Sequence, residues 1–184
     1  MLVMSLRQLN RQKREQRERA LQRYHKEKQR NVLANPGCKE FIVVLDHLKG
    51  GFNVPKIFRS AEAFGCHEVH LINVDPFDPA PAKGTFRKVP ARFHEDFRNC
   101  YEELIERGYK LFALEASCEN NLPDTALPEK SAFILGNEGL GLSFNKELYP
   151  EVACLNVPHF GVTESLNVSV AASIVMYEYT RQFA

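Results

Sequence analysis

Residues 133–143 read FILGNEGLGLS, an apolar run that passes straight into a loop with glycines at Gly136, Gly139 and Gly141. A short apolar run bounded by turn residues is the pattern of a buried strand. Its glycines are spaced G-x-x-G-x-G, not in the G-x-G-x-x-G order that cradles a dinucleotide pyrophosphate. Such residues permit positive φ and close backbone approach to a ligand. Glu138 sets a carboxylate among them, which argues against phosphate and suits a cationic or hydroxyl-bearing ligand, or else caps a helix beginning near Ser143.

Outward from this loop, β-rich runs alternate with helical segments. The expected order is FIVVLD (41–46), a helix over 54–64, EVHLIN (68–73), a helix over 94–107, YKLFALE (109–115), SAFILG (131–136), a short helix over 144–149, ACLNV (153–157) and a final helix over 165–182. This alternation predicts an α/β fold, a mostly parallel sheet covered by helices on both faces. Ligands gather at the carboxyl ends of such strands. Residues 75–93, DPFDPAPAKGTFRKVPARF, hold four prolines and read as a long loop with a short strand at its end.

A chain of 184 residues fits one compact domain with an appendage. No apolar run approaches the ~18 residues of a membrane helix, so a protein without a membrane span is expected. Residues 1–40 carry 11 Lys and Arg against 4 Glu, a balance of +7, whereas the remainder carries 13 basic against 19 acidic residues, a balance of −6. A basic arm on a mildly acidic body points to a polyanion, with a solvated tail as the alternative. From Arg11 to Arg19 the arm has helix formers but no apolar residue, and Leu6, Leu9, Leu21 and Tyr24 are expected to dock its ends. The arm, residues 1–38, reads as helical or partly disordered, with the body over 39–184. Five scattered cysteines without a C-x-x-C pair imply neither a disulfide framework nor a zinc knuckle, and no metal is expected. A cytoplasmic setting follows as the default, although the Arg-rich start leaves organelle import open.

Two further stretches carry candidate chemistry. In NVPKIFRSAEAFG (53–65), Asn53 fits an N-cap, Pro55 a first helical turn and Gly65 a helix end. Arg59 has no such explanation, beyond that of a solvated surface residue. In VPHFGVTESLNVSVAASIVMYEY (157–179), the helix from Leu166 is almost wholly apolar and is expected to be buried on most sides. Ser165 reads as its N-cap, while Asn167 is a poor helix former whose amide needs partners from a ligand or a facing subunit. His67 and His70 imitate H-x-x-H, but in a strand that spacing places them on opposite faces.

The three motifs, in this order, resemble the SpoU/TrmH family of the SPOUT superfamily, RNA ribose 2′-O-methyltransferases that use S-adenosylmethionine; the resemblance covers roughly residues 40–182. It departs from the commonest pattern at Val54-Pro55, where many relatives carry a small residue with glycine. The resemblance implies a C-terminal deep trefoil knot, a homodimer and an RNA substrate, tRNA or ribosomal. It implies catalytic roles for Arg59, Asn53, Glu138, Ser165 and Asn167, with Arg59 foremost. The expected cofactor contacts are Leu114, Glu115, Gly136, Asn137, Gly139, Val157, Gly161 and Leu166. Two readings stay open beside it: a knotted RNA-binding protein without catalysis, and a nucleotide-binding domain of flavodoxin or Rossmann type. Which RNA and which nucleotide are involved is not legible.

Overall fold

The structure, a computed structural model, describes residues 6–183. Residues 1–5, Ala184 and the Leu6 side chain, with the docking expected of it, lie outside the described residues. A helix α1 (Leu6–Asn31) precedes six strands: β1 (Ile42–Asp46), β2 (Glu68–Ile72), β3 (Ala91–His94), β4 (Lys110–Leu114), β5 (Ser131–Leu135) and β6 (Val152–Leu155). Helices α2 (Asn53–Ala63), α3 (Phe97–Glu106) and α4 (Val168–Gln182) follow β1, β3 and β6. All pairings are parallel, in the order β3-β2-β1-β5-β4-β6.

The sheet is covered on both faces, as a parallel sheet demands. Odd-numbered residues of β1 and β5, Val43, Leu45, Phe133 and Leu135, pack with α2 and α4 around Phe41, Phe58 and Tyr179. Even-numbered residues, Ile42, Val44, Ala132 and Ile134, join Phe97, Cys100 and Leu104 of α3 on the other face. Every residue of β1 is fully buried, and each large apolar side chain so covered stabilises the fold by about 1.5–3 kcal/mol. Buried Glu68 lies on the α3 face. Burial opposes its charge, yet hydrogen bonds from His70, Arg92 and Arg107 hold its carboxyl well below the usual carboxylate range.

The second half of α1 docks on the 75–93 loop. Tyr24 is buried against Phe77 (5.2 Å between ring centroids) and Phe86 (5.8 Å). Buried Asn31 acts as a clamp: its Nδ2 donates to the Phe86 carbonyl and to that of Val89 (2.7 Å), and its Oδ1 accepts from Ala91 N (2.9 Å). Leu9 and Leu21, expected to dock, stay exposed, because Tyr24 and Asn31 present the docking side. Arg11 to Arg19 buries no face and is laced by the exposed pairs Arg11–Glu15 and Arg14–Glu18.

Several expectations need correction. The helix expected over 144–149 shrinks to one 3-10 turn (Lys146–Leu148), since Phe144 stacks on Phe97 at one end and Tyr149 packs edge-on against Phe97 at the other. The helix expected over 94–107 starts at Phe97, because residues through His94 pair with β2 and Asp96 caps the helix by accepting from Asn99 N (2.9 Å). The final helix is not buried on most sides: Val170, Ile174 and Tyr177, at i, i+4 and i+7, form an outward stripe that is 47%, 36% and 59% exposed. Cys118 and Cys154 form a disulfide, with Cα atoms 5.7 Å apart. Sequence spacing hides this pair, because β6 lies beside β4 and so brings residues 36 apart together.

No described helix is long and apolar enough to cross a membrane.

Candidate functional site

The carboxyl ends of β1, β4, β5 and β6 share one edge of the sheet, and the loops leaving them build a cleft. The glycine loop forms its wall. Asn137 and Gly141 exchange backbone hydrogen bonds at 2.8 Å in each direction, closing residues 137–141 into a tight hairpin. Gly141 has φ of +74°, a conformation that favours glycine, and a Cβ on Gly136 would stand 2.7 Å from the Gly141 carbonyl. These glycines therefore bring the loop against itself at the cleft wall. The loop is tethered to β1 by fully buried Asp46, which accepts from Ser143 N (2.6 Å) and Ser143 Oγ (2.7 Å).

Beyond that hairpin, three polar side chains from distant segments meet. Asn53 Nδ2 donates to Glu138 Oε1 (3.0 Å), and Asn167 Nδ2 lies within reach of both Glu138 Oε1 (3.1 Å) and Asn53 Oδ1 (3.2 Å). The Val168 backbone N–H adds a third donor to the same carboxylate oxygen, at 3.4 Å. Glu138 thus ties the starts of α2 and α4 to the glycine loop. Asn53 is not the N-cap expected of it: it opens α2 after Phe52 and turns its amide to the cluster. Ser165 is not the cap of α4 either. Asn167 caps that helix, its Oδ1 accepting from Ser169 N (3.0 Å) and Ser169 Oγ (2.6 Å), so its amide needs neither ligand nor subunit for partners. Glu138 does not cap a helix near Ser143.

Next to the cluster the cleft has two lobes, of about 220 and about 100 Å³, that share Leu114, Glu115, Ala116, Ser165, Leu166 and Ala171. Gly136, Asn137 and Glu138 line the larger lobe, Asn156 and Val157 the smaller. Asn137 contributes no uncommitted side-chain group: its Oδ1 accepts from Gly139 N (2.9 Å) and Leu140 N (3.2 Å), and its Nδ2 donates to the His47 carbonyl (2.8 Å). Gly139 and Gly161 do not line either lobe. Glu115 pairs with Lys146 at the rim.

Arg59 stands apart. It is exposed on α2 and borders a separate groove with Lys56, Ser60, Lys83, Ser169 and Tyr177, and no hydrogen bond joins it to Asn53, Glu138 or Asn167 among the described residues. Asn156 carries no mark in the sequence beyond being a lone Asn at a strand end, and the expected site omits it. Its Nδ2 donates to Asn121 Oδ1 (3.2 Å), while its own Oδ1 is buried without a hydrogen-bond partner. An orphaned buried acceptor beside a cleft fits a ligand that brings an N–H or O–H group. Apolar Leu114, Leu166 and Ala171 beside this acceptor suit a small ligand with an apolar face and a polar edge.

The SpoU rRNA Methylase family model matches residues 40–177. The 23S rRNA (guanosine-2′-O-)-methyltransferase RlmB of Neisseria meningitidis is 29% identical over 161 residues, 83% of this chain and 62% of its own length. A tRNA (guanosine(18)-2′-O)-methyltransferase of Thermus thermophilus is 28% identical over 148 residues, covering 78% of this chain and 75% of its own. Among solved structures, the AdoMet-bound rRNA methyltransferase of Sinorhizobium meliloti superimposes with a TM-score of 0.70 at 21% identity, over 84% of this chain and 60% of that one; this likeness concerns the fold. The chain thus spans about three fifths of the length of the Neisseria and Sinorhizobium proteins.

Asn167 joins two jobs that substitution separates. Asn167→Ala, which removes the cap and the link to Glu138, is expected to lower stability in urea denaturation by about 1–2 kcal/mol. Asn167→Ser keeps a capping oxygen but falls short of Glu138, and should recover most of that stability while leaving the glycine loop as protease-sensitive as in the alanine variant. Equal stability of the wild type and Asn167→Ala would show that the Asn167 side chain is not what holds the start of α4.

Proposed function

The chain belongs to the SpoU rRNA Methylase family, and from that premise we propose that it transfers a methyl group from S-adenosylmethionine to a ribose 2′-hydroxyl of tRNA or ribosomal RNA. The observation that carries this reading is the meeting of Asn53, Glu138 and Asn167, one residue from each of three distant motifs, beside the two-lobed cleft. S-adenosylmethionine supplies an electrophilic methyl group on a sulfonium. Leu114, Leu166 and Ala171 would hold its adenine by apolar contact, the backbone of residues 114–116 and 136–138 would select its edges, and Asn156 Oδ1 would accept one of its donors.

The chain's own residues have two tasks. A 2′-hydroxyl is a weak acid, so the site must steady an oxygen that is losing its proton and hold it in line with the methyl group. Arg59, whose planar guanidinium presents a fixed fork of donors, is assigned to gripping a phosphate beside the target and stabilising the developing alkoxide. Lys56 and Lys83 share its groove and extend the positive surface. Glu138 Oε1 already meets three N–H donors, so Glu138 and its two asparagines are assigned to orientation, with Ser165 on the lip of both lobes facing the ribose.

The finer topology belongs to this reading as well. The segment after β6 lies in the loop after β4, where Asn156 N donates to the Asn120 carbonyl and Leu122 N to the Asn156 carbonyl, both at 2.8 Å. Gln182, at the end of α4, bonds Leu127 N (3.0 Å) and the Thr125 carbonyl (3.1 Å) of that same loop. These contacts support a chain that passes through the loop as a trefoil knot. The Val170–Ile174–Tyr177 stripe beside Arg59 supports a homodimer in which a second copy covers α4 and brings a substrate-binding face close to each cleft.

Calorimetry should show binding of S-adenosylmethionine and of its demethylated product, and bulk tRNA or rRNA should accept labelled methyl groups. Arg59→Ala should reduce single-turnover transfer by about 100-fold or more while cofactor affinity stays within about twofold, and Arg59→Lys should recover only part of it. Near-normal transfer by the alanine variant would remove Arg59 from the site; cofactor binding without transfer to any RNA would favour the non-catalytic reading.

Light scattering at micromolar concentration should give the mass of a dimer, reduced to that of a monomer by Ile174→Lys. A fully active wild-type monomer overturns the paired arrangement.

The arm is assigned to phosphate binding. Truncation before Asn35 would remove Tyr24 and Asn31 and disturb the 75–93 loop, so neutralising Arg11, Lys13, Arg14, Arg17 and Arg19 to Gln is the cleaner experiment. The variant should bind RNA more weakly, and its plot of log affinity against log salt should flatten by about 0.7–0.9 for each phosphate that the arm no longer neutralises. An unchanged slope places RNA recognition in the body alone.

A further inference from the structure

On the α3 face of the sheet, toward its β3 edge, lies a second cluster that the proposed chemistry does not use. His70 of β2 is completely buried. Its Nε2 lies 3.2 Å from Glu68 Oε1, while its Nδ1 lies 2.9 Å from His94 Nε2 at the end of β3 and 3.4 Å from Cys100 Sγ on α3. The parallel register sets His70 opposite Arg92, so His94 follows two residues on along the same face. His67, one residue before β2, lies 3.9 Å from Glu40, and residues 24 and 30 positions from His70 are its neighbours instead.

Glu68 is clamped by Arg92 Nε (2.7 Å) and by Arg107, so it faces His70 as a carboxylate and can only accept. The Nε2 edge of His70 is thus taken by Glu68, and its Nδ1 edge faces the other two groups. Two groups, the His94 ring nitrogen and the Cys100 sulfur, converge on that one Nδ1, which can make a good hydrogen bond with only one of them. The Nδ1, Nε2 and Sγ atoms all lie within 4.8 Å of one another. Ligand atoms about 2.0–2.3 Å from one tetrahedral ion stand roughly 3.3–3.7 Å apart, so small side-chain adjustments would let a single ion replace an over-subscribed hydrogen bond.

We propose that His70, His94 and Cys100, with Glu103 as fourth ligand, form a site for a divalent transition metal, zinc foremost, that fastens β2 and β3 to α3. Glu103 lies one helical turn after Cys100, and its Oε2 is 4.0 Å from His94 Nε2. Two imidazoles, a thiolate and a carboxylate are the donor set of borderline-soft ions, and their two negative charges balance a 2+ ion. Glu68 supplies the outer carboxylate that orients a ligating histidine. Four protein ligands leave no open position, so the ion is structural: it holds the edge strand that closes the 75–93 loop. Entry is from the β3 edge, where Arg92 and Glu103 are partly exposed.

The test uses full-length protein stripped of metal and titrated with Co²⁺ as a spectroscopic probe, then with Zn²⁺. To remove the other cysteine cluster, Glu115 with disulfide-linked Cys118 and Cys154, which would offer thiolates to a metal once reduced, the titration is repeated in a Cys118→Ser/Cys154→Ser variant. The proposal expects one Co²⁺ per chain, tetrahedral visible bands with sulfur-to-cobalt charge transfer that persist in this variant, displacement by zinc and a raised melting temperature with zinc. Cys100→Ser should abolish the charge-transfer band. Where that buried substitution prevents folding, Glu68→Gln serves instead, with affinity down by about 10–100-fold and the bands retained. Absence of tetrahedral cobalt bands in the wild type, a charge-transfer band that survives Cys100→Ser, or bands that vanish only with Cys118 and Cys154 each overturn the site; none bears on methyl transfer.

Discussion

Parallel pairing of β5 between β1 and β4 is the constraint on which the molecule depends. A strand flanked by parallel neighbours cannot be reached by a hairpin, so each connection must travel back across a face and every strand must end at the same edge. Both faces must then be covered, by α2 and α4 on one side and α3 on the other. Four carboxyl ends thereby deliver their loops to one place. Asp46 shows how tightly: a carboxylate at the end of β1, buried and holding Ser143, fixes the far side of the glycine hairpin and lets Glu138 meet two asparagines from elsewhere.

Much of this was legible in the sequence because it is periodic or local. Buried strands such as FIVVLD and SAFILG announce themselves by uninterrupted apolar runs, and the three motifs pointed to the right family. Local rules also misled. Asn53 and Ser165 stand where caps belong, yet Asn53 is drawn into the site by Glu138, and the cap of α4 passes to Asn167 two residues later. The glycines were read as room for a ligand; Gly136 and Gly141 line the larger lobe and in addition make room for each other.

What sequence could not reveal was pairing across elements. The Cys118–Cys154 disulfide, the Asn31 clamp, the orphaned Asn156 oxygen and the His70–His94–Cys100 cluster all join residues whose separation carries no signal until β6 is laid beside β4 and β3 beside β2. Arg59 is the converse case. Its placement in a marked motif was visible, but within one chain it faces a groove of its own, apart from the polar cluster.

The way α4 completes the cleft has a consequence for synthesis of the protein. Ala171 lines both lobes, Asn167 closes the polar cluster, and Gln182 reaches the loop after β4. All of these come late in the chain and leave the ribosome after every strand. A nascent chain that has already formed β1 to β6 still has a bare face on β5 and no finished cleft, so it cannot hold a cofactor in the cleft while it is being made. Ligand binding there reports that residues through Gln182 have arrived and packed.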